Sequence, residues 1–165
     1  MSESKRSGEG PRAPPQGELP VESLPVAAGL SAEELEVLRG VLAREMLDAT
    51  DVLFREGDPG DRLYLLVRGK ISIAIRGADG SRGVMTYAPG AMLGEASLLE
   101  GAPRPATATA AADSVVYSLS RASLDALAAA HPALASKLLL TLGRHLSGRL
   151  RQAPDVLRNL SDSSG

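Results

Sequence analysis

Residues 90–107, with the sequence GAMLGEASLLEGAPRPAT, decide the interpretation of this chain. Residues 95–99 predict one short helical turn inside a region that is otherwise strand-like. The N–H groups at the start of such a turn are free donors and therefore suit an anion. Gly94, directly before the turn, lets the backbone come close to a ligand because it has no side chain.

Two charged residues complete the chemistry of this segment. Arg104 offers a planar fork of donors that matches two oxygens of a phosphate. Glu95 beside an anion is reasonable only if the ligand also presents a hydroxyl donor, such as a ribose 2′-OH. A phosphate and a sugar hydroxyl a few ångströms apart describe a cyclic nucleotide. On spacing alone, however, a Glu–Arg pair in a β protein is most often a surface salt bridge, so both interpretations stay open at this point.

The residues around this segment predict a series of short strands. Ile71, Ile73 and Ile75 alternate with polar or small residues, which places the three on one face of a half-buried strand. Ala78-Asp79-Gly80 is typical of a hairpin turn. Further β-rich runs, separated by Gly, Asp or Pro, occupy 52–54, 63–67, 84–87, 106–112 and 115–119. Many short strands at regular spacing predict a closed or sandwiched antiparallel architecture.

Helical patterns lie on both sides of the strands. Ser31 and Glu34 form a capping-box pattern that starts a helix over about 31–42. Ser123 is the predicted cap of a short helix, which His131-Pro132 interrupts. A longer helix over about 132–152 follows, with a leucine at every fourth position from Leu134 to Leu150. The predicted order is helix, β-roll, short helix and long helix.

Composition divides the 165 residues into one domain and two tails. Residues 1–28 are rich in Ser, Gly, Glu and Pro and predict a flexible N-terminal arm, because they carry too little apolar surface to offset the entropy of ordering. Residues 29–153 form the predicted domain, and 154–165 a flexible C-terminal tail. The apolar runs are far shorter than the roughly 20 residues that cross a bilayer, and no signal peptide is present. We therefore expect a cytoplasmic protein.

Composition also argues against several functions. A formal net charge of −2 is unlike a domain devoted to nucleic acid. The chain has no cysteine, which removes disulfides, thiol chemistry and zinc sites built on Cys. Its two histidines, His131 and His145, both lie outside the strand region, so that neither a β-roll metal site nor a histidine base for nucleophilic catalysis is expected. We expect no metal and no enzymatic activity.

Residues 90–107 closely resemble the phosphate-binding cassette of cyclic-nucleotide-binding domains. The resemblance extends upstream through residues 54–61, 63–66 and 69–73, and covers about 31–152 in all. It implies an α+β fold: an antiparallel β-roll (double-stranded β-helix or jelly roll) of the catabolite-activator type, flanked by an N-terminal helix and two C-terminal helices. The chain looks most like the sensor domains appended to bacterial glutaminases and sulfate-permease-type transporters.

The resemblance also implies a set of site residues. Glu95 matches the glutamate that accepts from the ribose 2′-OH, and Arg104 matches the arginine that pairs with the cyclic phosphate. Backbone contacts at the short helix and the small residue after the arginine complete the expected cyclic-nucleotide site, which consists of Gly94, Glu95, Ala96, Ser97, Arg104, Pro105 and Ala106.

Three positions depart from the family pattern. Leu93 stands where Phe is usual, and Ser97 where Ala or Gly is common. The third is Pro105, where the family has Ser, Thr or Ala. Proline has no N–H, so a backbone donor and any hydroxyl to the phosphate are lost. One missing charge-assisted bond costs about 1.5–3 kcal/mol, which predicts weakened binding of the nucleotide.

The resemblance implies a stand-alone cyclic-nucleotide sensor whose ligand is cAMP or cGMP, and of the two we favour cAMP. Residues of the long C-terminal helix cover the base in this family, and the candidates here are Arg144, His145 and Arg149. Too few residues follow this helix for a helix-turn-helix, so no contact with nucleic acid is expected and the effector protein is unknown. The alternative is a degenerate fold that serves protein interaction or dimerisation, and either function is compatible with a homodimer through the C-terminal helix.

Overall fold

The computed structural model describes residues 17–76 and 79–162, and within the last helix it describes side chains as far as 152. In this part of the chain eight strands form two antiparallel sheets. The strands are β1 (Ala43–Leu47), β2 (Val52–Phe54), β3 (Arg62–Arg68), β4 (Ile71–Arg76), β5 (Arg82–Tyr87), β6 (Met92–Leu93), β7 (Thr107–Ala110) and β8 (Ser114–Ser120). One sheet has the order β1-β8-β3-β6 and the other β2-β7-β4-β5. The predicted α+β fold with an antiparallel β-roll is confirmed.

The side chains of strand β3 contribute to two separate parts of the core, one on each face of the strand. Tyr64 and Leu66 point into the space between the two sheets, where they pack with Phe54 of β2 and Ile71 of β4. The alternate residues of β3 point the other way and pack against the helices. Because each of its faces is covered, β3 has a continuous apolar run in its sequence rather than an alternating one.

Four α-helices surround the roll in the described residues. They are α1 (Ala32–Val41), α2 (Glu95–Glu100), α3 (Arg121–Ala130) and α4 (Pro132–Asp162). Helix α1 begins with the predicted capping box, in which Ser31 accepts from the Glu34 amide and Glu34 accepts from the Ser31 amide. The predicted cap of α3 is wrong: Ser120 is the N-cap, and its hydroxyl accepts from the amide of Ser123. The two serines lie three residues apart, so either fits the cap pattern.

The predicted flexible arm over 1–28 is wrong for its last part. Val21, Leu24 and Val26 are buried, and the amide of Leu19 donates to the Val67 carbonyl at 2.9 Å. Residues 21–27 form two 3₁₀ turns here. A few well-spaced apolar side chains thus anchor a segment whose overall composition is typical of disorder. Residues 1–16 lie outside the described part.

The predicted end of the long helix is also wrong. Helix α4 continues to Asp162, through most of the segment 154–165 that was expected to be a flexible tail. The helix continues through Pro154, although an interior proline removes one backbone hydrogen bond and costs about 3 kcal/mol in helix propensity. Residues 163–165 lie outside the described part.

Candidate functional site

Helix α2, within the cassette, begins directly after Gly94 and packs against β3 and α4. Gly94 has φ 79°, a left-handed backbone conformation that side chains rarely adopt. A Cβ at this position would also overlap the guanidinium of Arg104. Glycine is therefore required here both for the turn into α2 and for the close approach of Arg104.

Arg104 is buried, with 2% of its surface exposed. Its Nη1 donates to the Gly94 carbonyl at 3.0 Å, and its Nη2 to the Arg62 carbonyl at 2.5 Å. The guanidinium carbon lies 4.4 Å from the ring centroid of Phe54 and 5.7 Å from that of Tyr64, within the range of cation–π interactions. The arginine is thus held by the start of α2, the start of β3 and two aromatic rings.

Burial is the main electrostatic influence on Arg104. It lowers the pKa of the guanidinium, while the Tyr64 phenol and the Asp61 carboxylate oppose that shift. Burial likewise raises the pKa of Tyr64. Arg104 remains a cation at neutral pH, because a guanidinium titrates far above it. Its Nε has no hydrogen-bond partner among the described residues, so a buried positive group retains a free donor.

Glu95, the first residue of α2, has no exposed surface. Its Oε1 lies 2.7 Å from Nη1 of Arg149 and 3.1 Å from Nδ1 of His145, both on α4. Its Oε2 is buried without a hydrogen-bond partner among the described residues. One oxygen of the carboxylate is therefore bonded by α4, and the other retains its capacity to accept.

Arg149 links α4 to the second sheet as well. Its Nη2 donates to the hydroxyl of Tyr87 at 3.2 Å, at the end of β5. Burial by itself lowers the pKa of Arg149, but the hydrogen bond and charge of Glu95 outweigh this and the pKa is raised. Arg149 is thus a permanent cation beside a carboxylate that has no contact with solvent.

The other predicted site residues lie around the same helix. Ser97 is buried, and its hydroxyl is 3.5 Å from the Pro103 carbonyl, while Ala96 is half-buried. Pro105 is exposed, and Ala106, directly before β7, is buried. Three residues of the long helix were candidates to cover the base. His145 and Arg149 contact Glu95, whereas Arg144 is exposed.

Sequence reasoning missed the aromatic part of the site. Phe54, Tyr64 and Tyr87 all contact its arginines, and the chain has only one Phe and three Tyr. Their scarcity was an available signal, since three of four aromatic residues meet at one place. The carbonyl of Arg62 could not be found in this way, because a backbone contact leaves no trace in residue type.

Gly60, in the turn before β3, positions α2. A Cβ on Gly60 would overlap the Ala102 carbonyl and the Cβ of Ser97. The turn before β3 is thus packed directly against the helix that carries the cassette. The turn and α2 can approach this closely only because position 60 has no side chain.

Two other kinds of feature are absent from the described residues. Within 17–76 and 79–162, no helix is long and apolar enough to cross a membrane. In the same residues no group of three or more His, Cys, Asp and Glu side chains is arranged to hold a metal ion.

The fold and the cassette together define the class of this protein: a β-roll that carries a buried arginine and a buried carboxylate at the start of an internal helix. Residues 44–131 match the family model described as the cyclic nucleotide-binding domain. The chain belongs to the cyclic nucleotide-binding domain family, as its resemblance implied.

Individual relatives agree with this assignment. The chain is 37% identical over 109 residues to the CRP-like cAMP-activated global transcriptional regulator of Mycobacterium tuberculosis. The matched region covers 66% of this chain and 47% of that protein. A cyclic nucleotide-binding domain from Methylobacillus flagellatus matches with a TM-score of 0.75 and 30% identity, over 79% of this chain and 74% of that one. The catabolite activator protein of Thermus thermophilus matches with a TM-score of 0.71 and 30% identity, over 83% and 63%.

The chain spans about half the length of the mycobacterial regulator, 47%. Family and fold are shared with that protein over the matched region. By their names, these three relatives are regulators or binding domains.

Proposed function

We propose that this chain acts as a cyclic-nucleotide sensor, a cytoplasmic regulatory module rather than an enzyme. In this proposal Glu95 accepts from the ribose 2′-OH and Arg104 attracts the cyclic phosphate. The N–H groups at the start of α2 add donors for the phosphate oxygens. The backbone surface around these groups is formed by Gly94, Ala96, Ser97, Pro105 and Ala106.

One observation carries the proposal. Two buried polar atoms of opposite character, the acceptor Oε2 of Glu95 and the donor Nε of Arg104, lack partners among the described residues. Both residues adjoin Gly94, the first in sequence and the second through a 3.0 Å hydrogen bond. Unpaired buried polar groups are costly and point to a ligand that supplies the missing partners. A cyclic nucleotide supplies a hydroxyl donor and anionic acceptors on one rigid ring system.

The surface beside Glu95 supports a purine as the attached base. Ile73 pairs with Met85 and Ile71 with Tyr87 across β4 and β5, so these side chains share one face of the sheet. On this face Ile71 is buried between the two sheets, whereas the hydroxyl of Tyr87 is reached by Arg149 of α4. An apolar strip with polar groups at one end suits a flat heteroaromatic ring.

We favour cAMP as the ligand. The mycobacterial relative is named as a cAMP-activated regulator, and the resemblance itself led to the same expectation. No metal takes part in this binding, since carboxylate, guanidinium and backbone amides provide the recognition.

The test is calorimetric titration of the purified chain with cAMP and with cGMP, beside the variants Glu95→Gln and Arg104→Lys. Glu100→Gln is the matched control, because Glu100 is an exposed acid at the other end of α2. We expect wild type and control to bind alike and each site variant to lose roughly tenfold or more in affinity, as for one charge-assisted bond. Absence of binding by wild type up to millimolar nucleotide would refute the proposal.

The second candidate is a dimerisation module that uses the surface of α4. Leu139, Leu140 and Leu150 are large apolar side chains on this helix with 41%, 55% and 74% of their surface exposed. Leu139 and Leu150 are eleven residues apart, about three helical turns, and therefore share a face. Such a stripe is suited to pairing with the same helix of a second copy.

Sedimentation equilibrium and thermal denaturation together distinguish the dimerisation module from the nucleotide sensor. Dimerisation that Leu139→Glu and Leu150→Glu abolish, and that cyclic nucleotide leaves unchanged, would support the second candidate. A nucleotide-dependent rise in melting temperature that Glu100→Gln retains and Glu95→Gln loses would support the sensor.

A further inference from the structure

Two arginines face each other across the hairpin formed by β4 and β5. Arg76 and Arg82 are the outermost aligned pair of the two strands, directly opposite in the register, and both are exposed. The Cβ atoms of such a pair lie about 4.5–5.5 Å apart, and two like charges in these positions destabilise a sheet. The arginine pair therefore costs stability unless an anion between the two guanidinium groups offsets the repulsion.

No carboxylate among the described residues neutralises this pair. The ion pairs that these residues form include neither arginine. Asp79, in the turn of the same hairpin, accepts instead from the Ser81 amide at 2.9 Å. A charge on an edge strand discourages pairing with another chain, which accounts for Arg82 on β5. It does not account for Arg76, because β4 lies between β5 and β7.

A cavity of about 190 Å³ adjoins the arginine pair. Its walls are formed by Glu56, Ala74, Ile75, Arg76, Arg82 and Thr107. Ala74 is paired with Thr107 of β7, and Arg76 lies two residues further along β4 on the same face. This is the outer face of the sheet, since Ile71 on the opposite face is buried between the two sheets. The cavity is therefore separate from the site around the cassette.

The polar groups of the cavity suit an anion with three or more oxygens. The Thr107 hydroxyl accepts from the Glu56 amide at 3.0 Å, and its own O–H has no acceptor among the described residues. Each guanidinium presents a planar fork of donors. Two forks and one hydroxyl match the three terminal oxygens of a phosphate monoester, whereas the two oxygens of a carboxylate are satisfied by one fork.

We infer that Arg76, Arg82 and Thr107 form a second ligand site, for a phosphate monoester, on the outer face of the β2-β7-β4-β5 sheet. The monoester is either a free small molecule or a phosphorylated serine side chain of a partner protein, since the two share the same chemistry. Glu56 is an exposed carboxylate at the same cavity and opposes an anion there. Replacing Glu56 and replacing either arginine therefore change the affinity in opposite directions.

The first arm of the test locates the binding site. The ¹⁵N-labelled chain is titrated with O-phosphoserine, with a short peptide that carries one phosphoserine, and with the same peptide unphosphorylated, and two-dimensional NMR follows the amides. We expect both phosphorylated probes to shift amides of 74–76, 82–84 and 107, and the unphosphorylated peptide to shift none of them. Tighter binding of the phosphopeptide would identify a protein partner, and equal binding a free monoester. Absence of shifts in these segments would overturn the inference.

The second arm repeats the titration with single variants. We expect Arg76→Gln and Arg82→Gln each to weaken binding of O-phosphoserine about three- to tenfold, and Glu56→Gln to strengthen it about two- to threefold. Arg144→Gln is the control, because Arg144 is an exposed arginine on α4. An equal loss of affinity in Arg144→Gln would mean that net charge alone attracts the anion, and would overturn the site.

The third arm requires no ligand. If the arginine pair is uncompensated, Arg82→Gln raises the melting temperature at low ionic strength, and the gain disappears when salt screens the repulsion. Arg144→Gln should show no such salt-dependent gain. A lower melting temperature in Arg82→Gln at low ionic strength would show that this arginine supports the fold, and would overturn the inference. None of the three arms involves a cyclic nucleotide, so their outcome is independent of the proposed sensor.

Discussion

Nη1 of Arg104 donates to the carbonyl of Gly94 at 3.0 Å, which joins two residues ten positions apart in the chain. This contact closes the cassette into a compact loop around α2. The same guanidinium also bonds the Arg62 carbonyl at the start of β3. Arg104 is therefore both a structural support of the cassette and the cation that the proposed phosphate meets.

This double role predicts the effect of Arg104→Lys. A lysine retains the charge but cannot reach both carbonyls with fixed geometry or stack on Phe54 as a plane. We expect the free energy of unfolding to fall by about 1.5–3 kcal/mol and nucleotide affinity to fall as well. Urea denaturation and calorimetric titration measure the two effects. Arg55→Lys, at an exposed position, is the control, and equal stability of both variants would contradict this prediction.

Gly60→Ala is expected to displace α2. The added methyl group would overlap the Ala102 carbonyl and the Cβ of Ser97, so either the turn or the helix must shift. We expect a loss of about 1–3 kcal/mol in the free energy of unfolding, as for overpacked sites, and weaker nucleotide binding.

The matched control for Gly60 is Gly40→Ala. Gly40 lies in α1, and a Cβ there meets nothing within 4 Å. We expect this second variant to be neutral or up to about 1 kcal/mol more stable, because alanine favours the helix. Thermal denaturation monitored by circular dichroism compares the two variants with wild type. A Gly60→Ala protein as stable as wild type would contradict the prediction, because a methyl group would then fit at position 60.

Pro105→Ser is expected to strengthen binding of a cyclic nucleotide. Serine restores an N–H and adds a hydroxyl next to Arg104, and Pro105 is exposed, so the fold should tolerate the change. One additional charge-assisted bond corresponds to a gain of about 10- to 150-fold in affinity.

Pro103→Ser is the control for this gain, because Pro103 is also exposed and precedes Arg104 by one residue. Calorimetric titration of both variants with cAMP is the measurement. A similar gain in the two would mean that backbone flexibility, rather than a donor at position 105, limits binding.

Glu34 should contribute to stability only above acidic pH. The hydrogen bond from Lys137 and then that from the Ser31 amide lower its pKa below the usual 4.5. A carboxyl whose pKa is lower in the folded than in the unfolded chain stabilises the fold above the unfolded value, and this stabilisation is lost as pH falls through the folded value. Glu34→Gln should therefore lower the melting temperature at neutral pH, and this effect should shrink as the pH falls below the usual pKa of the carboxyl.

Glu33→Gln serves as the comparison, since Glu33 is an exposed acid in the same turn of α1. Melting temperatures of wild type and both variants at several pH values provide the measurement. A Glu34→Gln deficit that persists unchanged into strongly acidic solution would assign the loss to helix capping alone.

The local sequence patterns of this chain were sufficient to predict its main strands and helices. The alternation of Ile71, Ile73 and Ile75 predicted β4, and the capping box at Ser31 predicted the start of α1, because both depend on residues a few positions apart. The cassette, from 94 to 104, revealed the family for the same reason: its glycine, carboxylate and guanidinium keep a fixed spacing along the chain. Chain ends were predicted poorly, because composition does not show that apolar residues such as Val21 find a place in the core.

What only the tertiary structure decided is the partner of each charged group. Glu95 and Arg149 are 54 residues apart and meet because α4 folds back over the roll, and Arg104 meets Phe54 because β2 lies beside β7. Such contacts depend on the packing of whole elements, which residue type and spacing do not specify. The sequence by itself therefore determined the family, the roll and the cassette; the packing of α4 decided that the carboxylate of the cassette is bonded by this chain's own arginine and histidine.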